Sequence, residues 1–267
     1  MSRKPRRWRT EGVVLRRRDW GEKDLLLVLY TQQGKQIVRA PGARHPRSRR
    51  GPHLQPLHRV AVLLAYGREH PVLVEAETLT AWLAFREDVN RYAWASLVAE
   101  LTDRFVWEGE HYPGLYDLLL RTLDAVARHP QPDWPVRYYE LHLLGRVGFR
   151  PELQRCIRCG ARVQPVNQYF SFEEGGVVCP QCAAQEPEHL LAVDVRTLKY
   201  LRHLQRSGPE AMWRPVPEPA LRRRLGTILQ GYEQSILEKR LRAPRVLKQL
   251  DIYPRPPESE SPDEEQR

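Results

Sequence analysis

Long apolar runs are missing from this chain of 267 residues. No stretch approaches the ~18–20 consecutive apolar residues of a membrane-spanning helix. The opening Met1-Ser2-Arg3-Lys4-Pro5-Arg6-Arg7-Trp8-Arg9 is basic enough to begin a secretory leader, but no apolar segment follows it. A cytoplasmic protein without a membrane partner is expected. Catalytic signatures are missing too. There is no P-loop, no GxSxG, no HExxH and no EF-hand pattern. The nine histidines are scattered. Glu173-Glu174 reads as a hairpin tip rather than an acid/base pair, and His142 as a packed or surface residue rather than a ligand. The expectation is a protein that is not an enzyme, although a spatial triad leaves no mark in sequence order.

Acidic residues are short by ten against Lys and Arg, giving a net charge of +10. Residues 1–80 hold 17 Lys and Arg against 7 Asp and Glu, and the remaining residues hold 26 of each. The whole excess therefore sits in one segment. A solubility surface needs no such segregation. An anionic partner does, either nucleic acid or an anionic membrane surface, and the footprint is that of a nucleic-acid-binding module.

Hydrophobic residues make up 41% of the chain, enough for a folded core. Five short apolar runs occupy residues 10–80. They are Val13 to Leu15, Leu25 to Tyr30, Ile37-Val38, Val60 to Ala65 and Val72 to Val74. Turn residues separate them, so a small five-stranded barrel is predicted, with the OB-fold as the natural form. From Pro41 to Pro52 the apolar pattern stops. That stretch holds four arginines, three prolines, two glycines and no acid, and reads as a long basic loop.

After residue 81 the period becomes helical. Trp94, Leu97, Val98, Leu101 and Phe105 mark one face. Leu115 to Val126, Pro135 to Gly148, Leu198 to Leu204 and Leu221 to Ile236 mark further helices. The fold class is α+β and multidomain: a basic OB barrel over 1–80, then a helical domain over 81–253 with a cysteine element at 153–185. The Pro-, Glu- and Ser-rich tail over 254–267 is expected to be disordered.

All four cysteines form one pattern, Cys156-x2-Cys159-x19-Cys179-x2-Cys182. In a reducing compartment this spacing reads as a zinc site rather than as disulfides. Each CxxC turn supplies two thiolates, and four close the tetrahedral shell, so one structural zinc ion is expected. Gly175-Gly176 turns a hairpin between the pairs. A redox dithiol needs only one CxxC, and an iron–sulfur cluster remains a weaker alternative. Arg155, Arg158 and Arg162 would face nucleic acid if this element touched it, or else form a solvated face.

Short matches in a fixed order carry a family resemblance. They begin with Glu11-Gly12-Val13-Val14-Leu15, Gly21-Glu22-Lys23-Asp24, Tyr30-Thr31 and Gly34-Lys35. Gly42-Ala43-Arg44, Arg47-Ser48-Arg49 and Leu54-Gln55-Pro56 follow. Then come Tyr139-Glu140-Leu141, Leu143-Leu144, Gly148-Phe149-Arg150-Pro151 and Leu153, running into the first cysteine pair, and Phe170-Ser171 with Gly175 to Cys179. Over roughly residues 10–185 the chain resembles the RecO family of bacterial recombination mediators. In the C-terminal helices the likeness thins, and Lys239 to Pro244 departs from the family's pattern. The resemblance implies binding of single- and double-stranded DNA, annealing of complementary strands, and help in loading a recombinase onto strands coated by single-stranded-DNA-binding protein. It implies RecR and the acidic C-terminal tail of that coating protein as partners, and association with the nucleoid. The alternative class is a zinc-ribbon RNA-binding assembly factor for ribosomes or transcription, and a third is a zinc-dependent nucleic-acid enzyme.

The nucleic-acid-binding residues expected are Arg16, Arg17, Trp20, Lys23, Lys35, Arg39, Arg44, Arg47, Arg49 and Arg50. Strand alternation sets Arg16 and Arg18 on one face and Arg17 on the other. Aromatics are few in this segment. Trp20 in a turn is the stacking candidate, and Tyr30 is expected to pack in the barrel. Phosphate neutralisation should then dominate, with steep salt dependence. For the coating protein's tail, Arg222-Arg223-Arg224 and the Leu198–Arg206 helix are candidates.

Overall fold

A computed structural model describes residues 7–237. The departure at Lys239 to Pro244 and the tail from 254 lie outside the described residues. Five strands open the structure: β1 (Arg7–Trp20), β2 (Asp24–Thr31), β3 (Gly34–Ala40), β4 (Arg59–Ala65) and β5 (Val72–Thr80). Their order around the barrel is β1-β2-β3-β5-β4, with β4 returning to β1. Four of the ladders are antiparallel. The fifth, β3 to β5, is a single parallel bridge between Arg39 and Val72, so the ring is closed at one seam only by a thread. This is the partly open five-stranded arrangement of an OB-fold. All five predicted apolar runs fall inside these strands.

Strand β1 serves two partners because it is long. Arg7 to Val13 pair with β4, and Gly12 to Trp20 pair with β2. A bulge between Val14 and Arg16 bends it around the barrel. The turn from β2 to β3 needs Gly34, whose φ is +108° and whose missing Cβ leaves room for the Glu110 carbonyl.

Alternation sorts the barrel's apolar residues into two cores. Val14, Leu25, Leu27, Leu29, Val38, Val60, Val62 and Leu64 fill the interior. Val13, Leu15, Val28 and Tyr30 point the other way and belong to the helical core. Strand β2 is thus buried on both faces, which explains its unbroken apolar run Leu25 to Tyr30. Tyr30 does not pack inside the barrel as expected. It lies outside, 6.5 Å from the ring of Tyr116. The period of two decides this, because Leu29 already occupies the inward position.

The helices are α1 (Ala84–Glu87), α2 (Val89–Phe105), α3 (Leu115–Arg128), α4 (Asp133–Arg146), a short α5 (Pro180–Gln185), α6 (Val195–Arg206) and α7 (Pro219–Leu237). Asp88 caps α2 and Asp194 caps α6 through backbone N–H groups. Helix α4 is buried on every side, from Trp134 to Leu144, and is the axis around which the others pack. Between α4 and α6 lies the cysteine segment, with β6 (Gln168–Ser171) central between β7 (Gly176–Val178) and β8 (Leu190–Val193).

Polar contacts lock the barrel to the bundle. Asp103 on α2 accepts from Arg16 at 2.8 Å and lies 3.0 Å from Lys35 Nζ. Glu108 accepts from the Ile37 backbone N–H. Lys35 and Asp103 are mostly buried, so removing one leaves the other poorly solvated. Asp103→Ala is expected to lower stability by about 2–3 kcal/mol in urea unfolding. A loss under about 0.5 kcal/mol would remove Asp103 as the clip between the two bodies.

Three charged groups sit in the helical core. Arg137 and Glu140 on α4 and Glu233 on α7 are almost fully buried. Arg137 lies over the Trp94 ring at 5.1 Å and its Nη1 is 2.9 Å from Glu140 Oε2, close but not aligned as a hydrogen bond. Burial raises the Glu140 pKa to about 7, against the pull of Arg137. Burial raises Glu233 too, with Glu140 adding to it. Both shifts favour the protonated carboxyl over the buried carboxylate. A carboxyl whose folded pKa exceeds its unfolded value binds protons on folding. Its contribution is full below the unfolded value and is lost as pH rises through the folded one. Stability should therefore fall between about pH 4.5 and 7. Glu140→Gln is expected to flatten that fall, measured by denaturant midpoints across pH; an unchanged profile would count against it.

Candidate nucleic-acid interface and cysteine cluster

The basic loop from β3 to β4 folds back over the mouth of the barrel. Its first turn is tied to the β1–β2 turn: Gly42 N–H donates to Asp24 Oδ1, and Arg44 N–H to the Lys23 carbonyl. A 3-10 turn over Gly51–His53 closes the loop, and Leu54 anchors it in the barrel core. A groove of about 510 Å³ lies between loop and β1, with Arg17, Asp19, Arg44, His45 and Gln55 on its walls. Past the bulge, Arg17 and Asp19 continue the inward-facing row of β1 and reach this groove beyond the end of the barrel. Arg16 and Arg18 pair with Val28 and Leu26 on the outer face, as alternation requires.

The cations in this segment do different jobs. Arg16 and Lys35 are held by Asp103. Arg39 is paired with Asp24 at 2.8 Å, and the Gly42 N–H, followed by that pairing, holds the Asp24 carboxyl below its ordinary pKa. Arg44 bridges Asp19 and the carbonyls of Gly21 and Glu22. Arg50 is turned inward onto the carbonyls of Leu73 and Pro41. Arg17, Lys23, Arg47 and Arg49 are exposed and have no ion-pair or side-chain hydrogen-bond partner among the described residues. Trp20 is 39% exposed, with the Arg18 guanidinium 5.5 Å from its ring. Arg17 on the groove wall, Lys23 in the β1–β2 turn, and Arg47 and Arg49 on the loop are thus left unpaired among the described residues, whereas Arg16, Lys35 and Arg50 are diverted into support. The partners that divert them gave no sequence signal, since Asp103 is 87 residues from Arg16.

The cysteines come together. Their four Sγ atoms lie within 4.8 Å of one another, and Cys159 and Cys179 are 3.8 Å apart. A tetrahedron with metal–sulfur bonds of ~2.3 Å has edges of roughly 3.8 Å, so the set fits a four-coordinate soft ion. The first knuckle turns through Gly160, at φ +72°, with its N–H bonded to the Cys156 carbonyl. The second opens α5 at Pro180. Burial pushes the Cys156 thiol up, but N–H groups of Cys159, Cys179 and Arg158 outweigh it and bring it to about 6. The hairpin between the pairs rests on α7, where Gly175, at φ +75°, lies against Tyr232.

Around the cluster, Arg158 is spent on Glu174 and Glu186. Arg155 bonds the Gly160 carbonyl. Only Arg162 of the three has no side-chain partner among the described residues. His142 is packed as expected, stacked on Tyr138 and bonded to the Leu204 carbonyl. On α6, Leu198, Leu201 and Leu204 are all buried, so that helix offers no apolar face. Arg222 is bound to Asp133 and Arg224 to Asp194. The C-terminal candidates for a peptide pocket are therefore mostly engaged in packing.

Barrel, bundle and knuckles define the class: a multidomain OB-barrel protein with an embedded tetracysteine element. Among the described residues no helix is long and apolar enough to cross a membrane. The family described as Recombination protein O N terminal matches residues 1–82, and Recombination protein O C terminal matches residues 86–245. The chain is 36% identical to the DNA repair protein RecO of Roseiflexus sp. (strain RS-1) over 91% of its length and 85% of the relative's. It is 41% identical to that of Desulforudis audaxviator over 68% of its length and 73% of the relative's. For Desulforamulus reducens the identity is 31%, over 91% and 94%. The chain belongs to the RecO family of DNA repair proteins.

About one metal ion per chain is expected by elemental analysis. Cys159→Ser should release it and lower the melting temperature. A folded, metal-free wild-type chain would overturn the site.

Proposed function

We propose that this chain binds single- and double-stranded DNA through the barrel mouth, anneals complementary strands and helps load recombinase onto strands coated by single-stranded-DNA-binding protein. The observation that carries the reading is a set of exposed cations without ion-pair partners among the described residues, Arg17 on β1, Lys23 in the turn after it, and Arg47 and Arg49 on the loop from β3 to β4, all in the segment over 1–80 that holds the whole charge excess. Cations without protein partners have only counterions to release when phosphates arrive, and that release drives sequence-tolerant binding. An annealing factor must hold any strand, screen two strands from each other, and let go.

The barrel over 1–80 is the DNA-binding domain in this reading. The helical domain over 81–253 is scaffold and partner surface, and serves RecR and the coating protein's acidic tail. The ion in the cysteine cluster is zinc, acting as a folding clip. Four thiolates leave no open coordination position, which supports a structural role and a protein that is not an enzyme. Work on DNA places the chain in the cytoplasm, at the nucleoid.

Labelled complementary strands, with and without bound coating protein, test this by the rate of duplex formation across salt. Acceleration at low salt is expected, and its absence would sink the reading. Combined Arg17→Gln, Arg47→Gln and Arg49→Gln should weaken single-strand binding and reduce the slope of log K against log salt by about 2. An unchanged slope would move the site elsewhere.

A further inference from the structure

The barrel has cations for phosphates but little to hold a base. Trp20 is its one exposed tryptophan near the mouth. A second depression, about 220 Å³, lies where barrel and helices meet, and Gln55 lines both it and the basic groove. Its walls are Trp82, Phe85, Tyr92 and His58, with Arg86 also on its lining. No carboxylate lines it. Tyr92 is 45% exposed. Arg86 is exposed and has no side-chain partner among the described residues.

Three features mark this as a built site. His58 is 7% exposed, and its Nδ1 has no hydrogen-bond partner. Trp82 is fixed by its Nε1–H to Asp124 at 2.6 Å, with its ring 5.8 Å from Phe85. Leu57 takes a left-handed φ of +65°, a strained turn that sinks its side chain in the helical core and sets His58 beside it on the depression. Burial lowers the His58 pKa, partly offset by the His53 backbone, and a neutral imidazole offers both a donor and an acceptor.

We infer that this junction pocket takes an unstacked base of a single strand whose phosphates run through the basic groove, with Tyr92 as the stacking face and His58 as a polar contact. The inference rests on the DNA-binding reading above. Continuity at Gln55 and the positive rim at Arg86 favour a nucleic-acid strand over an apolar peptide. A duplex keeps its bases stacked and offers the pocket nothing, so the pocket distinguishes single strands from duplexes where the cations alone cannot.

The test is fluorescence anisotropy with the full chain at fixed salt. Its probes are a labelled oligo-dT strand, an abasic phosphodiester strand of equal length, and a duplex. Tyr92→Ala is expected to weaken oligo-dT binding about tenfold, the loss of one base–aromatic stack, and to leave the abasic strand and the duplex unchanged. Tyr92→Phe should bind as wild type. Tyr92→Ala with unaltered oligo-dT affinity would overturn the pocket and leave it to a protein partner. An equal loss on the abasic strand would overturn it too. If the wild-type chain binds no single strand at low salt, the DNA-binding reading falls as well. On the unaltered chain, a 5-iodouracil strand should crosslink to the segment holding Trp82 and Tyr92; crosslinks confined to the barrel would refute the inference.

Discussion

Strand β2 is buried on both sides, and the rest of the molecule is arranged around that fact. Its inward residues close the barrel core, and its outward residues Val28 and Tyr30 join the core of the helices. A barrel that shares a core with its neighbour cannot swing freely. Asp103 adds a charged clip at the same seam. Where barrel and helices meet, the junction depression beside Tyr92 is formed.

Segregated charge does not translate directly into binding surface. Lys35 and Arg50 carry the same charge as Arg47 and Arg49, yet they stabilise the fold: one joins barrel to helix, the other staples the loop to strand carbonyls. Exposed ion pairs such as Arg44–Asp19 are weak, and phosphates can compete for them. The Pro, Gly and Arg content between β3 and β4 reads as a long basic loop, and a loop lies there, with Arg44 and Arg50 helping to fold it down.

The helical body solves a different problem. Helix α4 is surrounded by other helices and carries Arg137 and Glu140 inward to meet Glu233. A buried triad of this kind is costly unless its charges are balanced, and burial raises both carboxyl pKa values in the direction that lowers that cost. The cysteine element hangs on the same body through Phe170 and Val177, while Cys156, Val178 and Ala183 form a cluster too small to fold unaided. A metal held by the four sulfurs would supply what that cluster lacks.

Much of this architecture was legible in the residues alone. Period-two runs and turn residues placed all five strands, and helical spacing placed the five longer helices. The cysteine spacing brought the four sulfurs together, because a knuckle is a local structure. Local signals sufficed wherever the physics is local. The rest depends on contacts between distant parts of the chain. Tyr30 faces the helices because Leu29 fills the barrel, and both readings of an apolar run look alike until its second face has a partner. Arg16 and Lys35 turned out to be struts because Asp103 reaches them from a distant helix. Tyr92, Trp82 and His58 meet only when barrel and bundle dock. Charge and hydrophobicity can be read along a chain, but whether a given cation or ring is left free depends on which distant group reaches it first.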